Sequence, residues 1–124
     1  MAQPRKPKKQ RPQVRILFGS VYPLGPGKAS LIEAVGRTGS ISAAARELGM
    51  SYRRAWQLID ATNKCFRQPL VETATGGRGG GGATVTPFGE EVLDRFRTIE
   101  AKAVASVDRD ITEFERYLAD EPSG

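Results

Sequence analysis

A chain of 124 residues with a formal net charge of +5 is long enough for one domain with extensions, not for two independent cores. One cysteine excludes an internal disulfide, and the lack of any histidine removes the usual zinc ligands and general bases, so no enzyme, no metal site and no cofactor is expected. No apolar run approaches the ~20 residues of a membrane helix and the N-terminus lacks a signal-peptide core, which predicts a cytoplasmic protein with no membrane partner.

The charge is graded along the chain. Residues 1–15 carry six cations and no acid, residues 16–78 eight cations against four acids, and residues 79–124 five cations against ten acids. A basic front and an acidic rear predict a polyanion held at one end and a different task at the other. The opening "MAQPRKPKKQRPQ" mixes proline with cations and has almost no apolar content to offset its ordering entropy, so residues 1–13 read as a disordered basic arm.

Residues 14–86 read as one folded unit. "VRILFG" (14–19) is a short β-branched and aromatic run suited to an edge strand, followed by a proline-glycine loop through Gly27. Ala29, Leu31, Ile32 and Val35 then supply one apolar helical face, broken by "GRTG". "SISAAARELGMSYRRAWQLIDATNKCF" reads as two helices, with Ser40 capping the first, Gly49 ending it and Ser51 capping the second. Cys65, beside Phe66 at the end of that helix, is expected in the core.

Two helices that cross steeply need a small residue where they touch, a glycine in the turn and apolar residues on the facing surfaces. Ala45 and Gly49 meet the first two demands, and Ala44, Leu48, Met50, Ala55 and Leu58 take the inward positions. The pattern is that of a DNA-binding helix-turn-helix, whose second helix puts its first turn in the major groove. Arginine forks onto guanine and glutamine onto adenine, so Arg53 and Gln57, at i and i+4, are the expected base readers. Arg54 lies beside them, and Ser51 or Tyr52 is placed to hold a phosphate. Ser40 and Ser42, at the start of the first helix, complete the expected contact set on this side. Tyr52, Trp56 and Ile59 form an i, i+4, i+7 row, and Trp56 is expected to pack inward.

Six glycines surround Arg78 in "ETATGGRGGGGATVT". Such a tract suits a flexible spacer, a phosphate-cradling loop or a hairpin tip. The phosphate loop needs a strand before it, a helix after it and a Gly-Lys-Ser/Thr ending. Here "LVETAT" and "ATVT" flank it with β-branched residues, so the segment reads as a hairpin. A hairpin directly after the reading helix is a wing, with Gly77 and Gly79 letting the loop hug the DNA backbone and Arg78 drawn to the negative potential of a minor groove.

The rest, residues 87–118, reads as one long helix. Thr86 caps it, Pro87 takes its first turn, and Glu90 and Glu91 suit its dipole. An apolar stripe from Phe88 to Leu118 repeats in steps of four and three over about 30 residues, roughly 45 Å, longer than a domain this small can cover. Its Phe96–Leu118 portion predicts a dimerisation helix. Residues 119–124 are a tail. The expected fold class is mostly α with a small β hairpin: a winged helix-turn-helix followed by a long C-terminal dimerisation helix.

"GSIS" before the first motif helix, "SYRRAW" opening the second, and "ATGGRGGGGA" followed by a threonine and "FG" closely resemble the N-terminal winged-helix domain of ModE-type molybdate-dependent transcriptional regulators. The likeness covers about residues 28–100 and extends, more distantly, to the DNA-binding domains of LysR-type regulators. It implies a homodimer on a palindromic operator in double-stranded DNA, joined partly through long helices. ModE-type regulators bind molybdate through a C-terminal pair of small β-barrel domains, whereas this sequence runs out at "ADEPSG". The expectation is therefore the DNA-binding half alone, acting in molybdenum-related regulation without sensing the anion itself. A different class, a winged-helix module that binds another protein or a separate effector sensor, would show an apolar patch where Arg53, Arg54 and Arg78 are expected.

Overall fold

Leu31, Ile32 and Val35, all fully buried, lie on α1 (Pro26–Thr38), the helix around which the computed structural model, describing residues 13–74 and 82–120, is built. Pro26 occupies its first turn, where no amide hydrogen is needed. Gly39, at φ +74°, ends it by donating its N–H to the Val35 carbonyl. The expected break at "GRTG" is thus made by its last residue alone. Gly36 stays helical, and its bare Cα leaves room for Val85, whose Cγ2 would lie 3.3 Å from a Cβ there.

The basic arm and the glycine tract with Gly77, Arg78 and Gly79 lie outside the described residues, as does the end of the tail. Before α1 the chain is more ordered than the proline-glycine loop expected there. Strand β1 (Ile16–Phe18) pairs antiparallel with β2 (Val21–Leu24), Ile16 facing Leu24 and Phe18 facing Val21. The turn between them uses Gly19 at φ +64°, and Pro23 is tolerated because a two-stranded ribbon leaves it an unpaired edge.

Helices α2 (Ile41–Glu47) and α3 (Tyr52–Cys65) form the expected pair. Their caps are those read from sequence: the Ser40 and Ser51 hydroxyl oxygens accept from the amides of Ala43 and Arg54, each at 3.0 Å, an interaction worth ~1 kcal/mol. Gly49 turns the chain at φ +72°, and Met50 donates back to the Ala45 carbonyl at 2.9 Å. Ala44, Ala45, Ala55 and Ile59 are buried against α1, while Leu48 lies exposed at the rim of the turn.

Strands β3 (Val71–Thr73) and β4 (Ala83–Val85) pair in register, Val71 with Val85 and Thr73 with Ala83, giving the expected hairpin. Its base is tied down twice by backbone, Ala83 N–H to Gly39 carbonyl at 3.0 Å and Thr86 N–H to Leu70 carbonyl at 2.9 Å.

Thr86 caps α4 (Pro87–Ser106), accepting from Gly89 N–H at 2.9 Å and donating to the Pro69 carbonyl at 2.8 Å. Gly89 is required by packing: a Cβ there would stand 2.3 Å from the Leu70 carbonyl oxygen. Arg97 staples α4 to α1, with its Nε and Nη2 on the two Glu33 oxygens at 3.0 and 2.8 Å and further bonds to Ser30 and Glu100. Hydrogen bonding to Glu33 holds this guanidinium above its ordinary pKa, against the opposing effect of partial burial.

The single long helix expected over 87–118 is interrupted. Val107 leaves the helical region (φ −117°, ψ 14°), and α5 (Asp108–Phe114) starts afresh, followed by a 3-10 turn (Glu115–Tyr117). Asp108 and Asp110 in the first turn of α5 suit a helix start far better than a helix middle. Among the described residues, no helix is long and apolar enough to cross a membrane.

Candidate nucleic-acid interface

Helix α3 buries Ala55, Ile59 and Thr62, a stripe that fixes which way the remaining side chains point. With that stripe inward, Arg53 and Gln57 fall on the opposite side, and both are exposed. Arg54 is exposed on the adjoining flank, and neither arginine forms an ion pair among the described residues. Two forks and an amide therefore project from the first two turns of a capped helix, the donor geometry that reads purine edges in a major groove.

Ser51 has a double use. Its oxygen accepts from Arg54 N–H, which leaves the hydroxyl hydrogen free to donate to a phosphate. Ser40 holds the same position on α2, half-buried, and Ser42 is exposed one turn-step later. The two helix starts thus carry hydroxyl donors, Ser40 and Ser42 on α2 and Ser51 on α3, beside the positive ends of their dipoles.

Trp56 corrects the expectation that it packs inward. The indole is 46% exposed and Tyr52 is 53% exposed, while only Ile59 of that row is buried. The row straddles the edge of the buried stripe of Ala55, Ile59 and Thr62, so its first two rings face outward. Cys65 is likewise exposed rather than in the core, because the helix has passed the end of the packed region by that point and Phe66 turns inward against Phe88 instead.

Two residues that the sequence reading passed over bear on this candidate surface. Lys64 extends the Arg53–Gln57 side two turns further and is exposed, loosely paired with Asp60 at 3.0 Å; the i+7 and i+11 spacing from Gln57 and Arg53 was there to be read. Asn63 sets the wing. Its Oδ1 accepts from Leu70 N–H at 2.8 Å and Val71 N–H at 3.2 Å, and its Nδ2 donates to the Val71 carbonyl at 3.0 Å. One side chain thereby bolts β3 to the reading helix, and nothing local in the sequence marks it. At the other end of the motif, Arg37 and Glu47 pair across α1 and α2.

A capped helix pair with a positive-φ glycine turn, followed by a pinned hairpin, is a winged helix-turn-helix. The model of the bacterial regulatory helix-turn-helix proteins of the lysR family matches residues 28–90, half of the chain. The chain belongs to this family. It is also 44% identical over 100 residues to the molybdenum-pterin-binding protein MopB of Rhodobacter capsulatus, covering 81% of this chain and 36% of that protein. The transcriptional regulator ModE of Yersinia pestis is 39% identical over 97 residues, 76% of this chain and 37% of its own. For the DNA-binding transcriptional dual regulator ModE of Escherichia coli K12 the values are 41% over 81 residues, 63% and 31%. The chain thus spans about a third of the length of these relatives, and the resemblance to ModE-type regulators read from "GSIS" and "SYRRAW" is shown.

Proposed function

We propose that this member of the lysR helix-turn-helix family is a sequence-specific DNA-binding transcriptional regulator of the ModE type, bound to double-stranded DNA as a homodimer on a palindromic operator. Arg53 and Gln57 read base edges from α3. Ser40, Ser42, Ser51, Tyr52 and Arg54 set the register on phosphates, and Arg78 between Gly77 and Gly79 follows the backbone or a minor groove from the wing. The observation that carries this reading is the outward array of Arg53, Arg54, Gln57 and Lys64 on a helix whose other side is buried. The names of its relatives connect them to molybdenum, and we place the regulated genes in the same area of metabolism, in the cytoplasm.

The domain reading that goes with this function is a basic arm over residues 1–13, a reading domain over 14–86, a dimerisation segment over 87–118 and a short tail. Its dimerising surface starts later than the sequence stripe suggests, because Phe96 is only 2% exposed within its own fold.

Exposed Tyr52 and Trp56 favour one second reading, a module that docks on a protein through these aromatics. The arginines around them favour DNA, where the same rings suit sugars and thymine methyl groups. Selection of bound fragments from a fragmented genome, followed by footprinting, decides between the two. The proposal predicts protected sites with two-fold symmetric halves about one helical turn, ~34 Å, apart; a library with no enriched sequence contradicts it.

A further inference from the structure

Tyr52 and Trp56 are the two large exposed rings of α3, and hydrogen bonding to base edges by Arg53 and Gln57 gives them no task. Among the described residues neither ring stacks on another aromatic or on a cation. Aromatic surface of this size, left in water on a face otherwise given to arginine and amide, marks a place of contact.

Their position on the helix decides what they meet. Trp56 follows Tyr52 by four residues and precedes Asn63 by seven, so the three share one flank of α3. Asn63 joins that flank to β3 through Leu70 and Val71. The two rings therefore lie on the wing side of the helix, next to the outward line of Arg53, Gln57 and Lys64. Gln57 comes directly after Trp56 and stands ~100° round the helix from it.

A T·A pair shows the major groove the adenine N7 and N6, the thymine O4 and the thymine C5 methyl. The methyl ends that row, on the thymine's own strand, and it is the apolar member. With Arg53 and Gln57 over the middle of the groove, the flanks of α3 meet the ends of the row. The far flank offers the charge of Arg54, whereas the wing-side flank offers an indole, whose broad apolar face suits a methyl group and gains nothing beside a bare polar edge.

We infer that Trp56 is a specificity-determining residue that reads the C5 methyl of a thymine, in the base pair whose adenine Gln57 holds or in the pair next to it. This rests on the reading of base edges by α3 and adds which base its wing-side flank selects. Cytosine at that place lacks the methyl and a purine presents a polar N7 instead, so Trp56 favours thymine over the other three bases. Gln57 and Trp56 together then select a T·A step from both of its strands.

The test titrates the full chain by fluorescence anisotropy on its selected duplex and on duplexes in which each thymine of the site in turn is replaced by deoxyuridine, a change that removes the methyl and keeps the pairing. Loss of one buried methyl weakens binding about four-fold at the position read. Trp56→Ala binds the thymine and deoxyuridine duplexes equally, the coupling expected of groups in contact. A C·G pair at that position binds more weakly than T·A, and 5-methylcytosine in place of the cytosine recovers about four-fold. Insensitivity to deoxyuridine at every thymine, or a loss that persists in Trp56→Ala, overturns the assignment; base reading by α3 still stands if Arg53→Ala weakens the selected site alone. A library with no enriched sequence overturns both. One readout needs no substitution, because Trp56 is the chain's single tryptophan: its emission is shielded from acrylamide quenching on the selected duplex. An indole as accessible in the complex as in the free protein contradicts the contact.

Discussion

Replacing Asn63 by alanine tests how the wing is held at its working angle. The change removes one acceptor serving two backbone N–H groups, Leu70 at 2.8 Å and Val71 at 3.2 Å, and one donor to the Val71 carbonyl at 3.0 Å. Leu70 is fully buried and Val71 nearly so, so these backbone groups do not regain water freely. With about 1 kcal/mol net for each bond and more for a buried group left unpaired, the loss is about 2–4 kcal/mol. Two backbone ties, Ala83 to Gly39 and Thr86 to Leu70, keep the hairpin attached, so the variant still folds at low temperature. Urea unfolding followed by circular dichroism measures the stability. Asn63→Asp serves as the companion: it keeps the acceptor, loses the donor and turns the Val71 carbonyl contact repulsive, which predicts an intermediate loss. In DNA titrations at a temperature where each protein is folded, Asn63→Ala also weakens specific binding, because the wing is no longer fixed relative to α3. A stability change below about 0.5 kcal/mol would show that the hairpin is positioned without Asn63 and refute the argument.

Gly89→Ala places a Cβ against the Leu70 carbonyl, 2.3 Å away, and the Val85 Cγ1, 2.9 Å away; forcing strand and helix apart costs about 1–3 kcal/mol, read as a lowered urea midpoint, and an unchanged midpoint contradicts the close approach. Removal of residues 1–12, with five of the six cations in the first fifteen residues, flattens the fall of DNA affinity with salt; an unchanged slope in titrations from low to moderate salt shows that the arm does not touch DNA.

Much of this architecture was legible because its signals are local. Ser40 and Ser51 before apolar helices, Ala45 at the crossing and Gly49 in the turn each solve a backbone problem that few other residues solve, and each is found in that role. The hairpin was legible from its β-branched flanks, and Pro87 after Thr86 marked the start of α4. Features that depend on what lies across the fold were not. Strand β2 contains Pro23 and is followed by Gly25, so it reads as loop until β1 is seen beside it. Trp56 lies at the edge of the buried stripe of Ala55, Ile59 and Thr62, where helical periodicity cannot tell inside from outside. Cys65 and Phe66 are adjacent, and only the position of Phe88 determines which of the two turns in. Asn63 takes its meaning from a strand that begins eight residues later. Val107 keeps the apolar spacing intact, so the break there leaves no mark in periodicity; the acids after it are the only trace.

The claim on which the functional account stands is that the outward side of α3 reads base edges. Fluorescence anisotropy titrations of the full chain, of Arg53→Ala and of Gln57→Ala, each on a selected site and on a scrambled duplex of equal length at one salt concentration, test it most directly. The account predicts that each substitution costs about 1–3 kcal/mol on the selected site and much less on the scrambled one. Equal losses on both duplexes would reduce these side chains to phosphate contacts and contradict the account.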